Sequence, residues 1–421
     1  MSQTPPLLYR IATAAAPRAA SLVSSRARDV LKARRESLAD FVAWANAGRD
    51  RSRPLVVVHA SSAGELRQAE PVIRRLRRRQ PGWQLVATHF SPSAVPVARQ
   101  LDVDATGYFP WDTMDEVAAF LDALAPSAMV WCKHDLWPAA ALAARSRGVR
   151  LGMIAATVRP GSSRLAWPLR EILRPAYAAL EAVGAASEED ADALARLGVT
   201  PARIEIDGDP RYDAVVERLE GSTPRPESAG TLVAGSTWPA DEEVLLTALQ
   251  QVLEQRADTR LMLVPHRPSL AGWQRIGRRA AALGLPAPVQ PGSASPGDVL
   301  LVSQEVGSLA FDYAQGCMAY VGGGYRRGGL HSVLEPAALG KPVLAGPEAR
   351  DSRDARRLNQ AEALEYIPRR RSAAVLEAWW VNWARDPEWR IRAGRAARQV
   401  VEEGRGAADR AAAMVERLVG G

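Results

Sequence analysis

Twelve short apolar segments, each followed by a stretch of helical periodicity, constrain this chain more than any other feature. "PLVVVHA" (54–60), "QLVATHF" (84–90), "ATGYFP" (105–110), "AMVWC" (128–132), "RLGMIAAT" (150–157), "AVGAAS" (182–187) and "RIEIDG" (203–208) recur through the first half. "TLVAGS" (231–236), "RLMLVP" (260–265), "DVLLVS" (298–303), "MAYVGG" (318–323) and "PVLAG" (342–346) repeat the rhythm in the second. Most of these runs are continuously apolar rather than alternating. They read as strands buried on both faces, so the pattern predicts parallel sheets covered by helices. A long helical tract, 373–419, ends the chain.

The break in rhythm is "LEGSTPRPESAG" (219–230), which reads as an interdomain linker. The 421 residues are too many for one ordinary core. Two doubly wound domains are therefore expected, 1–215 and 216–421, facing a cleft with ligands at the carboxyl ends of the strands. The last helices are expected to pack back toward the N-terminal domain. Cys132 and Cys317 lie inside apolar runs without CxxC spacing, which suits a reducing, cytoplasmic setting. The net charge of +7 comes almost wholly from Arg and suits anionic partners. Nucleic acid is not expected, because no helix-turn-helix or finger spacing accompanies the charge. The N-terminus carries Arg10, Arg18, Arg26, Arg28 and Arg34 in mildly apolar sequence. It reads either as a helix packed on its own domain or as a basic segment lying on anionic lipid.

Chemistry-bearing residues fall at strand ends. "GGGYRRGGLHSVLEPAALGKP" (322–342) predicts a glycine loop, a helix from about His331 and a stop at Gly340. Gly329 and the helix start suit a phosphate, and Glu335 suits ribose hydroxyls; a plain tight turn is the other reading. Ser236 and Thr237 in "AGSTWPADEE" suit a phosphate or simply cap a helix. His266 and Arg267 in "LVPHRP" suit a base edge and a phosphate, with Pro265 beside them, and "SQEVGSL" (303–309) could close over the base. In the first half, "SSAGE" places Glu65 at a helix start, either as a general base or as a first-turn Glu complementing the dipole. That position favours the ionised carboxylate. "KHDLWP" joins Lys133, His134 and Asp135, and "GDPRYD" carries Arg211, read as cleft-facing or as a salt bridge. No Walker loop, GxSxG elbow, HExxH or Cys/His metal set is present.

"HASSAGELRQAEPVIRRL", "KHDLWP", "SEEDADALARLG", "GDPRYD", "AGSTWPADEE", "VPHRP", "EVGSL" and "GGLHSVLEPAALGKPVLAGP" occur in the order of one family. Over about residues 7–365 the chain resembles the 3-deoxy-D-manno-octulosonate (Kdo) transferases of lipopolysaccharide synthesis. The resemblance implies a GT-B fold. It implies inverting transfer of Kdo from CMP-Kdo to a lipid A precursor, without metal or cofactor, at the cytoplasmic face of the bacterial inner membrane. It implies Glu65 as general base, with Asp135 and Arg211 supporting the transition state. The segments that match CMP binding are Pro265 and His266; Val306, Gly307 and Ser308; and Ser332, Val333, Leu334 and Glu335. Ser61, Ser62, Gly64 and Lys133 fall on the acceptor side. Two positions depart from the common pattern. Lys133 stands where many members have an acidic residue, and Ser332 where many have Asn.

Overall fold

The computed structural model describes residues 4–7, 9–15, 24–159, 161–220, 230–305, 307–326 and 328–420. The chain divides into two compact units, Met1–Ala214 with Gly404–Gly421, and Val215–Glu403. The division falls inside the helix Arg211–Leu219. Most of the linker expected at 219–230 lies outside the described residues.

The first unit holds seven parallel strands: β1 (Leu55–His59), β2 (Gln84–His89), β3 (Ala105–Tyr108), β4 (Ala128–Cys132), β5 (Arg150–Ala156), β6 (Ala182–Ala185) and β7 (Ile204–Ile206). Their order is β3-β2-β1-β4-β5-β6-β7. The central strands β1, β2 and β4 are buried at every residue, as continuous apolar runs between two helix layers should be. One layer packs on Val57, Met129 and Trp131, the other on Val56, Val58 and Val130. The helix Ala407–Gly420 belongs to this second layer, with Ala411, Met414 and Val415 in its core. Asp213 caps its start by accepting from Gly406 N (2.8 Å) and Ala408 N (2.9 Å).

The second unit has six parallel strands: β8 (Thr231–Thr237), β9 (Arg260–Pro265), β10 (Leu300–Val302), β11 (Met318–Val321), β12 (Val343–Ala345) and β13 (Leu364–Tyr366). Their order, β10-β9-β8-β11-β12-β13, repeats the first sheet's 3-2-1-4 arrangement. In each sheet the strand order reverses beside the first strand, the place where doubly wound folds bind ligands. These reversals fall between β1 and β4 and between β8 and β11.

The terminal helical tract is three helices, Ser372–Arg385, Pro387–Glu403 and Ala407–Gly420, and the last of these lies in the first unit rather than in a domain running from 216 to 421. Near the N-terminus, Tyr9 donates to Asp112 (2.7 Å) and Trp111 Nε1 donates to the Thr13 carbonyl (2.6 Å). Arg34 is not one of a row of lipid-facing cations. It is 2% exposed, bonds the carbonyls of Phe109 and Phe90, and lies 3.7 Å over the Phe90 ring. Arg18 and the side chain of Arg26 lie outside the described residues. No described helix is long and apolar enough to cross a membrane.

Candidate functional site

In the first unit the loops after β1 and β4 meet at the reversal of strand order. β1 runs out at His59, and Ser62 caps the helix Ala63–Arg79. Glu65 is the third residue of that helix. Its Oε2 accepts from Ser61 N (2.8 Å), and the Ser62 hydroxyl accepts from Glu65 N (3.4 Å). This is close to a capping box, and it fixes the Glu65 rotamer. The loop after β4 brings His134 and Asp135 to the same place. His134 Nε2 lies 3.8 Å from Glu65 Oε1 and 3.5 Å from Asp135 Oδ1. Arg164 Nη2 donates to Asp135 Oδ1 at 2.8 Å.

The two carboxyls are pushed apart. Glu65 is 5% exposed, and burial raises its pKa, with the Asp135 charge adding to the effect. Lys133 and the N–H groups of Ser61 and Glu65's own cap act against that rise and do not overcome it. The helix start therefore does not set the sign, contrary to the expectation of a favoured carboxylate. Burial also works to raise Asp135, but His134, a hydrogen bond with Ser61 and Arg164 hold it below the usual range. Burial lowers the His134 pKa, against the pull of Asp135. The result is two neighbouring carboxyls whose proton affinities are pushed in opposite directions, Glu65 up and Asp135 down, the pattern of an acid–base pair.

Ligand atoms of Glu65, His134 and Asp135 lie within 4.8 Å of one another, a spacing a metal ion could use. Arg164 already occupies the Asp135 oxygen that faces this group, so the set suits proton handling better than a divalent ion. His59 is structural. It is buried, its Nε2 accepts from Trp137 Nε1 (3.2 Å), its Nδ1 pairs with Thr88 (3.0 Å), and burial lowers its pKa to about 3.

Arg211 forms an ion pair within its own unit. Its Nε and Nη2 donate to Asp209 Oδ2 at 2.8 and 2.6 Å. Gln68, one turn beyond Glu65, donates to Asp209 Oδ1 (2.7 Å). Asp209 thus ties Arg211 to the Glu65 helix. Only its bonds to Gln68 and Arg211, invisible in the linear spacing, mark it out. Gly64 contrasts with most packed glycines: a Cβ there meets no atom within 4 Å.

In the second unit, the loops after β8, β9 and β11 meet at the corresponding place. Trp238 stacks on His266 (centroids 5.0 Å), His266 lies 4.2 Å from His331, and Trp238 Nε1 donates to His331 Nε2 (3.2 Å). The Arg326 and Arg267 guanidiniums sit 4.7 and 5.6 Å from the Trp238 ring. Burial lowers His331 to about 4, with His266 adding to the shift, and burial then Arg267 lower His266. Both imidazoles are neutral at pH 7, so the positive charge here is Arg. Trp238 carries no sequence signal beyond directly following the Ser–Thr pair.

Several expected contacts are redistributed. The helix starts at Leu334, not His331, and has five residues, Leu334–Ala338. His331 therefore precedes it, and Glu335, the second residue of the helix, sits 3.6 Å from Arg218. Val333 and Leu334 are core residues, each 1% exposed. The Ser332 hydroxyl accepts from Leu334 N (3.3 Å), and the Ser308 hydroxyl donates to Asp312 (2.8 Å). Thr237 is buried with its hydroxyl on Glu242 (3.4 Å), whereas Ser236 is half-buried with φ 53°. Pro265 ends β9, Gly307 has φ 96°, and Gly329 N bonds the Arg326 carbonyl (3.0 Å). Val306 lies outside the described residues. The glycines at 323 and 324 answer to the fold itself: a Cβ would lie 1.9 Å from Gly329 O and 2.5 Å from Gly346 N. Asp241, buried, holds this loop by accepting from Tyr320 OH (2.7 Å), Gly323 N (2.9 Å) and Trp238 N (2.9 Å).

Two Rossmann-like units of this order, each with a site at its strand reversal, define the GT-B class of glycosyltransferases and related epimerases. Solved structures with this fold include a UDP-GlcNAc 2-epimerase from Neisseria meningitidis (TM-score 0.57, 15% identity, 83% of this chain and 99% of that one). A glycosyltransferase from Rickettsia africae is similar in the same way (TM-score 0.58, 12% identity, 87% and 99%). Residues 34–214 match the family model of 3-deoxy-D-manno-octulosonic-acid transferase. The transferase of that name from Bordetella pertussis is 29% identical over 323 residues, 72% of this chain and 73% of its own. The one from Haemophilus influenzae is 22% identical over 373 residues, 84% and 85%. By these matches and its motifs the chain is similar to the Kdo transferases, a group of glycosyltransferases.

Proposed function

We propose that this enzyme transfers Kdo from CMP-Kdo to a hydroxyl of a lipid A precursor, with inversion, at the cytoplasmic face of a bacterial inner membrane. The observation that carries the reading is Glu65: a buried carboxyl with a raised pKa, a fixed rotamer and open space beside Gly64. In the proposed step Glu65 Oε1 takes the proton of the acceptor hydroxyl. The hydroxyl oxygen bonds to the anomeric carbon as the bond from that carbon to the CMP phosphate oxygen breaks. The bonding pair leaves with CMP. Asp135, Arg164 and His134 hold the field around Glu65, and Arg211 is fixed beside it through Asp209 and Gln68.

For the donor, Trp238, His266 and His331 offer flat neutral surfaces for cytosine and ribose, and Arg326 and Arg267 offer charge for the departing phosphate. Ser236, Gly329, Ser332 and Glu335 remain proposed contacts of the nucleotide, and Ser61 and Ser62 of the acceptor. The N-terminal segment supports contact with lipid: Leu7 and Ile11 are 66% and 56% exposed, four residues apart, with exposed Arg10 between them. Replacing both with Ser should reduce sedimentation with anionic vesicles, and unchanged sedimentation removes that part. The direct test of the whole reading mixes the purified chain with CMP-Kdo and a tetra-acylated lipid A precursor. Mass spectrometry should find a Kdo-bearing lipid, and NMR should find the anomeric configuration inverted. No product under conditions where CMP binds would overturn it.

A further inference from the structure

Lys133 is the first residue after β4, beside Glu65, and its backbone is in the left-handed region, φ 74°. A lysine has no intrinsic preference for that region. Two bonds to β5 and its exit hold it there: Lys133 N donates to Ile154 O (2.9 Å), and Thr157 N donates to Lys133 O (3.0 Å). β5 itself is irregular at this point, with Ala155 at φ 52° and a register shift against β6. The strand ends are thus shaped to set the Lys133 side chain at the site rather than let it trail into solvent.

Of the cations around it, Arg159 is exposed and two others are spoken for. Arg164 bonds Asp135, and Arg211 bonds Asp209. Lys133 is half-buried, and its ammonium makes no ion pair within 4.0 Å among the described residues. It nevertheless acts on the carboxyls of Glu65 and Asp209, lowering both. A partly desolvated cation close to carboxylates but clamped to none is suited to an anion that arrives with the substrate.

The transferred sugar is such an anion. In a 2-ulosonic acid the carboxylate carbon is bonded directly to the anomeric carbon. When a hydroxyl bonded to Glu65 attacks that centre, reacting atoms stand about 3–3.5 Å apart. The carboxylate then has to lie one bond beyond the attacked carbon, near Glu65 and Asp135, which both repel it. Resting on the transferase reading above, we propose that Lys133 binds the carboxylate of the transferred octulosonate and offsets this repulsion. Pairing the carboxylate does not favour the oxocarbenium-like transition state over the ground state. The gain belongs in donor KM rather than kcat.

The test compares wild type, Lys133→Met and Lys133→Arg, with CMP-Kdo and its C1-carboxamide as donors, on the alkaline plateau where Glu65 is ionised. Met keeps the side-chain length and the Cβ, so equal melting temperatures separate a lost contact from lost folding. In Lys133→Met the donor KM should rise about 10- to 100-fold with kcat nearly unchanged. The preference for the acid over the amide should collapse, and Lys133→Arg should restore most of it. An active Lys133→Met with unchanged donor KM and unchanged acid preference overturns the proposal, as does a rise confined to acceptor KM. Saturation-transfer NMR of free Kdo and its amide with the same variants reads the contact without turnover. A wild-type chain that transfers nothing yet prefers the acid, with the preference lost in Lys133→Met, removes the transferase reading and keeps the carboxylate contact. No preference in wild type removes the contact.

Discussion

Each unit places a buried acidic residue third in the helix that follows its first strand, and the two residues are bonded very differently. Glu65 follows β1, and Asp241 follows β8. They are 5% and 1% exposed, and burial raises the pKa of both. Asp241 accepts from Trp238 N, Gly323 N and Tyr320 OH, so both its oxygens are committed to joining the loop after β8 to the loop after β11. Glu65 accepts at Oε2 from Ser61 N, the Ser62 N–H also acts on its carboxyl, and Oε1 faces His134 at 3.8 Å. The same position in the same topology is a structural knot in one unit and, in the proposed mechanism, the base in the other. Burial alone does not separate them; the number of donors pointed at the carboxyl does.

The comparison is broken if the two residues respond alike to removal. Asp241→Ala should show the largest loss of stability, about 3 kcal/mol, because it leaves buried donors without an acceptor. Denaturant unfolding measures this, and a change under about 1 kcal/mol would mean that Asp241 is not the knot. Trp238→Ala should come next. It removes the ring stacked on His266 and the donor to His331, and should weaken CMP about tenfold by calorimetry. Unaltered affinity would move the base-binding surface elsewhere.

Glu65→Gln should have a smaller and opposite effect on stability. Glu65 binds its proton more tightly folded than unfolded, so its ionisation costs stability as pH rises through the raised pKa. Gln should therefore raise the melting temperature at neutral pH, and the gain should vanish below the ordinary Glu range. A melting temperature lowered at neutral pH would place Glu65 with Asp241. Gly64→Ala should barely change stability, since a Cβ meets nothing, yet should raise acceptor KM. An unchanged KM would leave the open space beside Glu65 without a ligand.

Much of the scaffold was legible because continuous apolar runs report strands buried on both faces. β13 escaped: Leu364–Tyr366 is three residues long and carries a Glu. The strand-end residues of the site were legible for the same reason, since strand ends are where this fold binds ligands. What was not legible depends on distant packing. Arg34 looks like a surface cation until Phe90, Tyr108 and Trp111 close around it. Asp241 looks like a helix cap until Tyr320 and Gly323, some eighty residues on, bond to it. The helix-start argument for an ionised Glu65 took a local effect of the right sign and missed the larger opposing one, because the burial comes from the whole unit. The helix start misplaced at His331 has a local explanation. His331 lies outside the helix, against the His266 ring and accepting from Trp238 Nε1, and the Ser332 hydroxyl accepts from Leu334 N.

The central claim is that Glu65 removes the acceptor proton while the donor nucleotide is held by other residues. Turnover of Glu65→Gln with CMP-Kdo and lipid acceptor, measured beside its CMP affinity, tests it most directly. The account predicts a fall in kcat of about 10³-fold with CMP affinity unchanged. Turnover close to wild type would contradict it.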